Sequence, residues 1–380
     1  MARRLEEIDA LRGFMLVWMT LTHLPTVLSQ FANQPFGFVS SAEGFIFLSA
    51  LFTGRIYFRL ADRDGYRAMY RRLGLRTFRL YVYHICLLLF AFTVGSLTAR
   101  GAHPGVHNLL DYYFAVGPKH AILLGAALIY RPPLLDILPM YIILLILTPL
   151  ALTLGGKVGW KYVMAGSFTL WVLAEFGFRQ VSHDFLAHAF GFTIPLNEMG
   201  SFDLWAWQFL WLLGLWFGVK WAKDELELDV WAKRLFVPAL FIVPAMLALR
   251  IAVGRTIELN GLEVTFDKWH LGGFRLLDAA CISALLWRFK QVPRALSVRP
   301  LVLLGQASLQ VFCAHLLFCF IGLTIMGNNP IVIGWRQVVL LVGTFGGLLL
   351  TAKLFSRSEN KISRNPPSHS PHLAPHHAES

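Results

Sequence analysis

Ten residues separate Arg12 from His23 in the first hydrophobic run of the chain. Eleven steps at 3.6 residues per turn make about three turns, so both side chains leave nearly the same face, roughly 16 Å apart along the axis. One is a fixed cation near an end of the helix. The other is a titratable imidazole well inside an apolar stretch. Ionisable groups are costly in a membrane helix, and their presence marks function. A buried imidazole suits a general base that takes a proton from a hydroxyl nucleophile.

Glu43 lies about seven residues into the next apolar run, and the connection between the runs is short. Antiparallel neighbours would bring Glu43 to the depth of His23. A carboxylate facing an imidazole raises its basicity and fixes its tautomer, so the sequence predicts a His23–Glu43 pair. The competing account is a structural hydrogen bond between helices. His315, some thirteen residues into a later run, is expected to share the depth of His23, as acid, substrate contact or packing. Gln306 and Gln310 add polar groups one turn apart, and Gln306 and Ser308 join His315 as candidate substrate or donor contacts. Asp9, three residues before Arg12, is a partner for it or for the positive end of the helix.

Arg71, Arg72, Arg76 and Arg79 cluster where a third run begins. Arg72, Arg76 and Arg79 fall on one helical face. Guanidinium forks match phosphates, so a phosphate-bearing donor fits this cluster; topology and anionic lipid explain it equally well. Lys268, His270, Arg275 and Asp278 gather at the entry of another run. Arg275 and Asp278, three apart, are expected to neutralise each other.

These residues must be held by helices in a bilayer. The chain has 380 residues, 56% hydrophobic and only 15% charged, with apolar runs recurring from residue 10 to 355. That composition predicts an all-α, polytopic bundle of about ten transmembrane spans over a single domain, 1–355, followed by a disordered tail, 356–380. The spans are roughly 10–30, 36–57, 77–99, 134–154, 160–178, 203–221, 236–254, 272–290, 300–326 and 332–354. The segment 109–130 is read as interfacial or re-entrant, because Asp111, Lys119 and His120 interrupt it. The net charge of +12 does not point to nucleic acid. With both termini cytoplasmic, roughly three quarters of the Lys and Arg fall in cytoplasmic loops, as the positive-inside rule requires. Cys86, Cys281, Cys313 and Cys319 lack metal-like spacing and are expected to be inert core thiols. No metal site is expected; the tail histidines, His369 to His377, are read as part of a floppy polar segment.

The run from Glu7 to Gly13, then Met19 to Pro25, resembles the opening of the OpgC family. Ser41 to Ala50 resembles its next block, with Ala50 where a glycine is expected. Leu138–Tyr141, Trp207–Phe209, Arg275–Leu277 and Gly305–Phe312 fit later blocks. The resemblance covers most of residues 5–350. It implies a bacterial inner-membrane O-acyltransferase, related to the acyltransferase family 3 group, whose Arg-x10-His pattern marks the active site. On that basis His23 is the catalytic imidazole, Arg12 its donor-side partner, and Arg76 with Arg79 a second basic motif. The donor substrate would be an acyl-CoA, succinyl-CoA in the namesake, with no permanently bound cofactor. The acceptor would be a periplasmic glucan or another carbohydrate. A transporter or flippase for an anionic or sugar substrate is the alternative, since buried His, Glu and Arg also serve proton-coupled transport; no inverted halves are visible. A non-enzymatic scaffold is a third reading.

Overall fold

A computed structural model describes residues 2–98, 104–191, 193–253, 262–326 and 334–364. Among them the chain is all-helical, apart from one isolated bridge between Phe36 and Val39. The main helices are α1 (Ala2–His23), α2 (Ser41–Thr98), α3 (Ile137–Leu154), α4 (Trp160–Glu175) and α5 (Phe178–Phe190). They continue as α6 (Leu204–Ala222), α7 (Leu228–Ala252), α8 (Gly273–Arg288), α9 (Arg299–Gln306), α10 (Ser308–Met326) and α11 (Trp335–Arg364). Among the described residues six helical segments are long and apolar enough to cross a membrane: Ser41–Leu97, Ile137–Glu175, Leu196–Ala222, Leu228–Ala252, Ser308–Met326 and Trp335–Ser356.

Two of these segments fold back on themselves. In α2, Gly65 has φ 83° and ψ 164°, outside the helical range. Beyond it the Arg76 guanidinium donates to Thr53 Oγ1 at 3.1 Å. A straight helix would hold residues 23 apart at about 35 Å. The two arms are therefore a helical hairpin, and Gly65 supplies the backbone angle that a side chain resists. The second reversal lies at Gly155–Gly159, between α3 and α4, where Gly159 has φ 111°. Helix α6 bonds both arms, Trp211 to Thr148 at 3.0 Å and Gln208 to Ser167 at 2.8 Å.

Segment 109–130 forms no single helix. Short helices at Asp111–Val116 and Pro118–Ala126 follow one at Pro104–Leu109, each too short to span. They pack on α2, where the Tyr81 hydroxyl donates to the Ala126 carbonyl at 2.9 Å. The span expected at 300–326 is broken: α9 stops at Gln306, Ala307 leaves the helical region, and α10 starts at Ser308. Helix α11 runs to Arg364, nine residues into the segment expected to be disordered. The rest of the tail, with its histidines, lies outside the described residues. Cys281 and Cys319 are buried, but Cys86 is exposed on its helix rather than in the core.

Where helices carry the candidate residues, their backbones touch through glycine. A Cβ on Gly13 would lie 2.0 Å from the Leu301 carbonyl oxygen. Small residues allow such contact, and membrane helices use them because lipid supplies no hydrophobic drive between helices. On α6, Gly214 and Gly218 do the same against the first arm of α2.

Candidate active site

Helix α1 presents Arg12 and His23 to one neighbour. The Arg12 guanidinium donates to Ser308 Oγ, and His23 Nδ1 lies 3.3 Å from His315 Nε2. Ser308 and His315 are seven residues apart, two turns of α10, so they also share a face. Helices α1 and α10 thus run side by side in the same direction. The shorter step on α10 is matched by the reach of the arginine side chain.

The imidazoles meet edge to edge through these nitrogens, with ring centres 5.6 Å apart and planes 25° from parallel. His315 has no exposed surface, while His23 is partly buried. His315 Nδ1 lies 2.7 Å from the Phe312 carbonyl oxygen. A carbonyl only accepts, so His315 Nδ1 carries a proton. In a neutral pair, His315 Nε2 is then the acceptor and His23 Nδ1–H the donor. That leaves the lone pair of His23 on Nε2, the nitrogen facing away from His315. The chain from Phe312 through His315 to His23 sets a tautomer, as the partner of a catalytic imidazole commonly does.

Glu43 does not take that place. Its carboxylate accepts both the Nε–H of Arg275, at 2.9 Å, and an Nη2 donor of the same residue. The other oxygen accepts the backbone N–H of Ser40 at 3.0 Å. Glu43 is 2% exposed and Arg275 fully buried. Equal depth brought Glu43 near the right level, but helix rotation aims it at α8. The direct ion pair of Arg275 is with Glu43 rather than with Asp278, which accepts the backbone N–H of Phe38 at 3.1 Å. Together they pin the loop after α1 to α8.

The arginine cluster separates. Met69, Leu73 and Leu80 are buried, and Arg76 shares their stripe at i, i+4, i+7 and i+11. Its guanidinium bonds Thr53 and, at 3.1 Å, Tyr141 Oη. Arg71, Arg72 and Arg79 are exposed. Arg12 and Arg76 line one narrow cavity of about 30 Å³ with Ser49, Tyr141 and Ser308. Arg12 also keeps Asp9 at 3.7 Å and lies over the Phe52 ring. Gln306 is exposed at the end of α9 and does not join the site. Ser49 and Thr53 belong to the site, though the pattern of ionisable residues does not single them out. For Ser49 and Thr53 the available signal was their four-residue spacing on one helix face, toward which Arg76 folds back.

At the His23 end lies Lys268, whose charge acts on His23 and Glu43. Burial pushes its ammonium below the usual lysine range; Glu43 counters that, and Arg275 adds to it. Beside it the Asp267 carboxylate binds the His270 ring at 2.6 Å and holds that imidazole above its ordinary value.

Apolar helices folded around paired imidazoles and inward-turned arginines define a helical membrane protein with a polar interior. The model of the family described as OpgC protein matches residues 3–360, and the chain belongs to that family. Membership implies a transferase with a glucan-related role. No curated protein and no solved structure gives a significant match.

Proposed function

We propose that this protein is a membrane O-acyltransferase that moves an acyl group from an acyl-CoA to a carbohydrate hydroxyl, with His23 as general base. The observation that carries this reading is the His23–His315 pair, which leaves Nε2 of a partly exposed imidazole free to accept a proton. His23 Nε2 removes the hydroxyl proton of the acceptor. The resulting alkoxide attacks the thioester carbonyl, a C–O bond forms and the C–S bond breaks. The departing thiolate takes the proton back from His23.

Arg12, about three helical turns from His23, shares one cavity with Arg76, and the two would hold a negative group of the donor away from the reacting carbonyl. The exposed Arg71, Arg72 and Arg79 would meet donor phosphates at the mouth. The bundle would lie in a bacterial inner membrane with ten crossings and both termini cytoplasmic, so that donor and acceptor arrive from opposite sides. Helix α1, charged at its start, and α8, at 16 residues, would be crossings besides the arms already described. A succinyl donor and a periplasmic glucan acceptor follow the family.

The test is reconstitution in vesicles with acyl-CoA inside and glucan outside. Thiol release matched by acyl mass on the glucan supports the reading. Acyl transfer undiminished in a folded His23→Ala protein would falsify it.

A further inference from the structure

A second pocket of about 340 Å³ opens at the His23 end of the bundle, between residues 33–38 and 263–275. Amides (Asn33, Gln34), aromatic rings (Phe266, Trp269) and charges (Asp267, Lys268) share its wall, a mixture suited to a polar ligand. The charged groups around it are almost all engaged. Glu43 is taken by Arg275 and Ser40. Asp267 accepts from the backbone N–H groups of Trp269 and His270 and from the His270 ring. Asp136 accepts the Ser201 N–H.

Two cations on its wall are not engaged in this way: Arg250, whose Nε is buried without a hydrogen-bond partner, and Lys268. Among the described residues Lys268 makes no ion pair. Its Nζ lies 4.8 Å and 5.8 Å from the ring centres of Trp269 and Phe202. Ring faces attract an ammonium but offer no acceptor for its three N–H groups. The amine is largely removed from water, faces an open pocket and lies near enough to His23 for its charge to act there.

We propose that this pocket is a substrate subsite in which the Lys268 ammonium binds an anionic group, a carboxylate or phosphate, of the molecule that reacts at His23. This assignment rests on the acyl-transfer reading. The anion has two sources. It is the free end of a dicarboxylic acyl chain, or a charged substituent on the glycan acceptor.

The experiment uses the full chain in vesicles, unsubstituted and as Lys268→Gln and Lys268→Arg. One arm compares succinyl-CoA with butyryl-CoA, of equal length but without the free carboxylate. The other compares one glucan with and without phosphate esters. Lys268→Gln should raise KM for the charged member of one pair about tenfold to a hundredfold, the weight of one charge-assisted hydrogen bond. The neutral member should be unaffected, and Lys268→Arg should keep most of the preference. The pair that responds identifies the source. Equal effects on charged and neutral members in both pairs overturn the subsite.

A measurement without turnover separates this inference from the acyl-transfer reading. Reductive methylation of Lys268, followed by peptide mass, should be slowed by succinate or inorganic phosphate and not by succinamide. Protection in a protein that transfers no acyl group keeps the anion site and removes the acyltransferase. Turnover with neither protection nor charge preference does the reverse.

Discussion

Gly305 rests directly on the backbone of Asp9: a Cβ there would lie 1.8 Å from the Asp9 carbonyl oxygen. The contact is three residues before Arg12 on one helix and three before Ser308 on the other. It fixes how α1 meets α9 and so where Arg12 finds Ser308. Gly305→Ala should force the backbones apart, at a cost of about 1–3 kcal/mol or more for overpacking. Thermal unfolding in detergent would read this as a lowered Tm. Gly74→Ala is the control, because nothing lies within 4 Å of a Cβ there. It should leave Tm unchanged or raise it, since alanine is the better helix residue.

The two histidines should fail differently. His23→Ala should lower the acyl-transfer rate about 10²- to 10⁴-fold, the usual weight of a general base. His315→Ala removes a positioning residue and should cost less. It should also shift the pH profile, because His23 loses the acceptor that holds its Nδ1 proton. His315→Gln, which keeps an acceptor at that end, should recover part of the rate. A His315→Ala enzyme with unchanged rate and pH profile would mean the pair is only packing.

The Glu43–Arg275 pair should act on stability. Removing one partner of a buried ion pair leaves the other charged and unpaired, at about 3–5 kcal/mol. Glu43→Ala and Arg275→Ala should each unfold far more readily. The double variant should be less damaged than the sum of the singles. Additive losses in such a cycle would show that the two side chains do not interact.

The Asp267–His270 pair gives a pH dependence of known sign. The Asp267 hydrogen bond raises the His270 pKa, so the imidazolium is favoured on folding. A group with a raised folded pKa contributes stability in full below its unfolded value, near 6.5, and loses it as pH rises through the folded value. Residues 262–272 should therefore exchange backbone hydrogens more slowly at pH 6 than the intrinsic rate predicts, with that protection fading towards pH 8.5. Asp267→Asn keeps an acceptor for the backbone but removes the charge, and should flatten this dependence.

Much of the site was legible because helical period alone relates residues on one element. Arg12 and His23 do share a face, and His315 does reach the depth of His23. What was not legible depends on rotation and on local breaks. Glu43 had the right depth, yet Arg275, more than two hundred residues away, claims it. Arg72, Arg76 and Arg79 look alike on a helical wheel, but only Arg76 falls in line with Met69, Leu73 and Leu80. Gln306 lies in a run that reads as one continuous span, but the helix stops at Ala307, so Gln306 does not share the face that the period predicts. The spans 36–57 and 77–99 predict a loop around Gly65, and instead both arms stay helical up to one glycine.

That glycine has a practical meaning. No atom approaches within 4 Å of where its side chain would be, so that side of the turn is open, while the next residue, Tyr66, packs on Gly156. A fluorophore-bearing insert placed just before Gly65, beside the exposed Arg63 and Asp64, would report, by its quenching from one side of a sealed vesicle or the other, which compartment the arginine-lined mouth addresses.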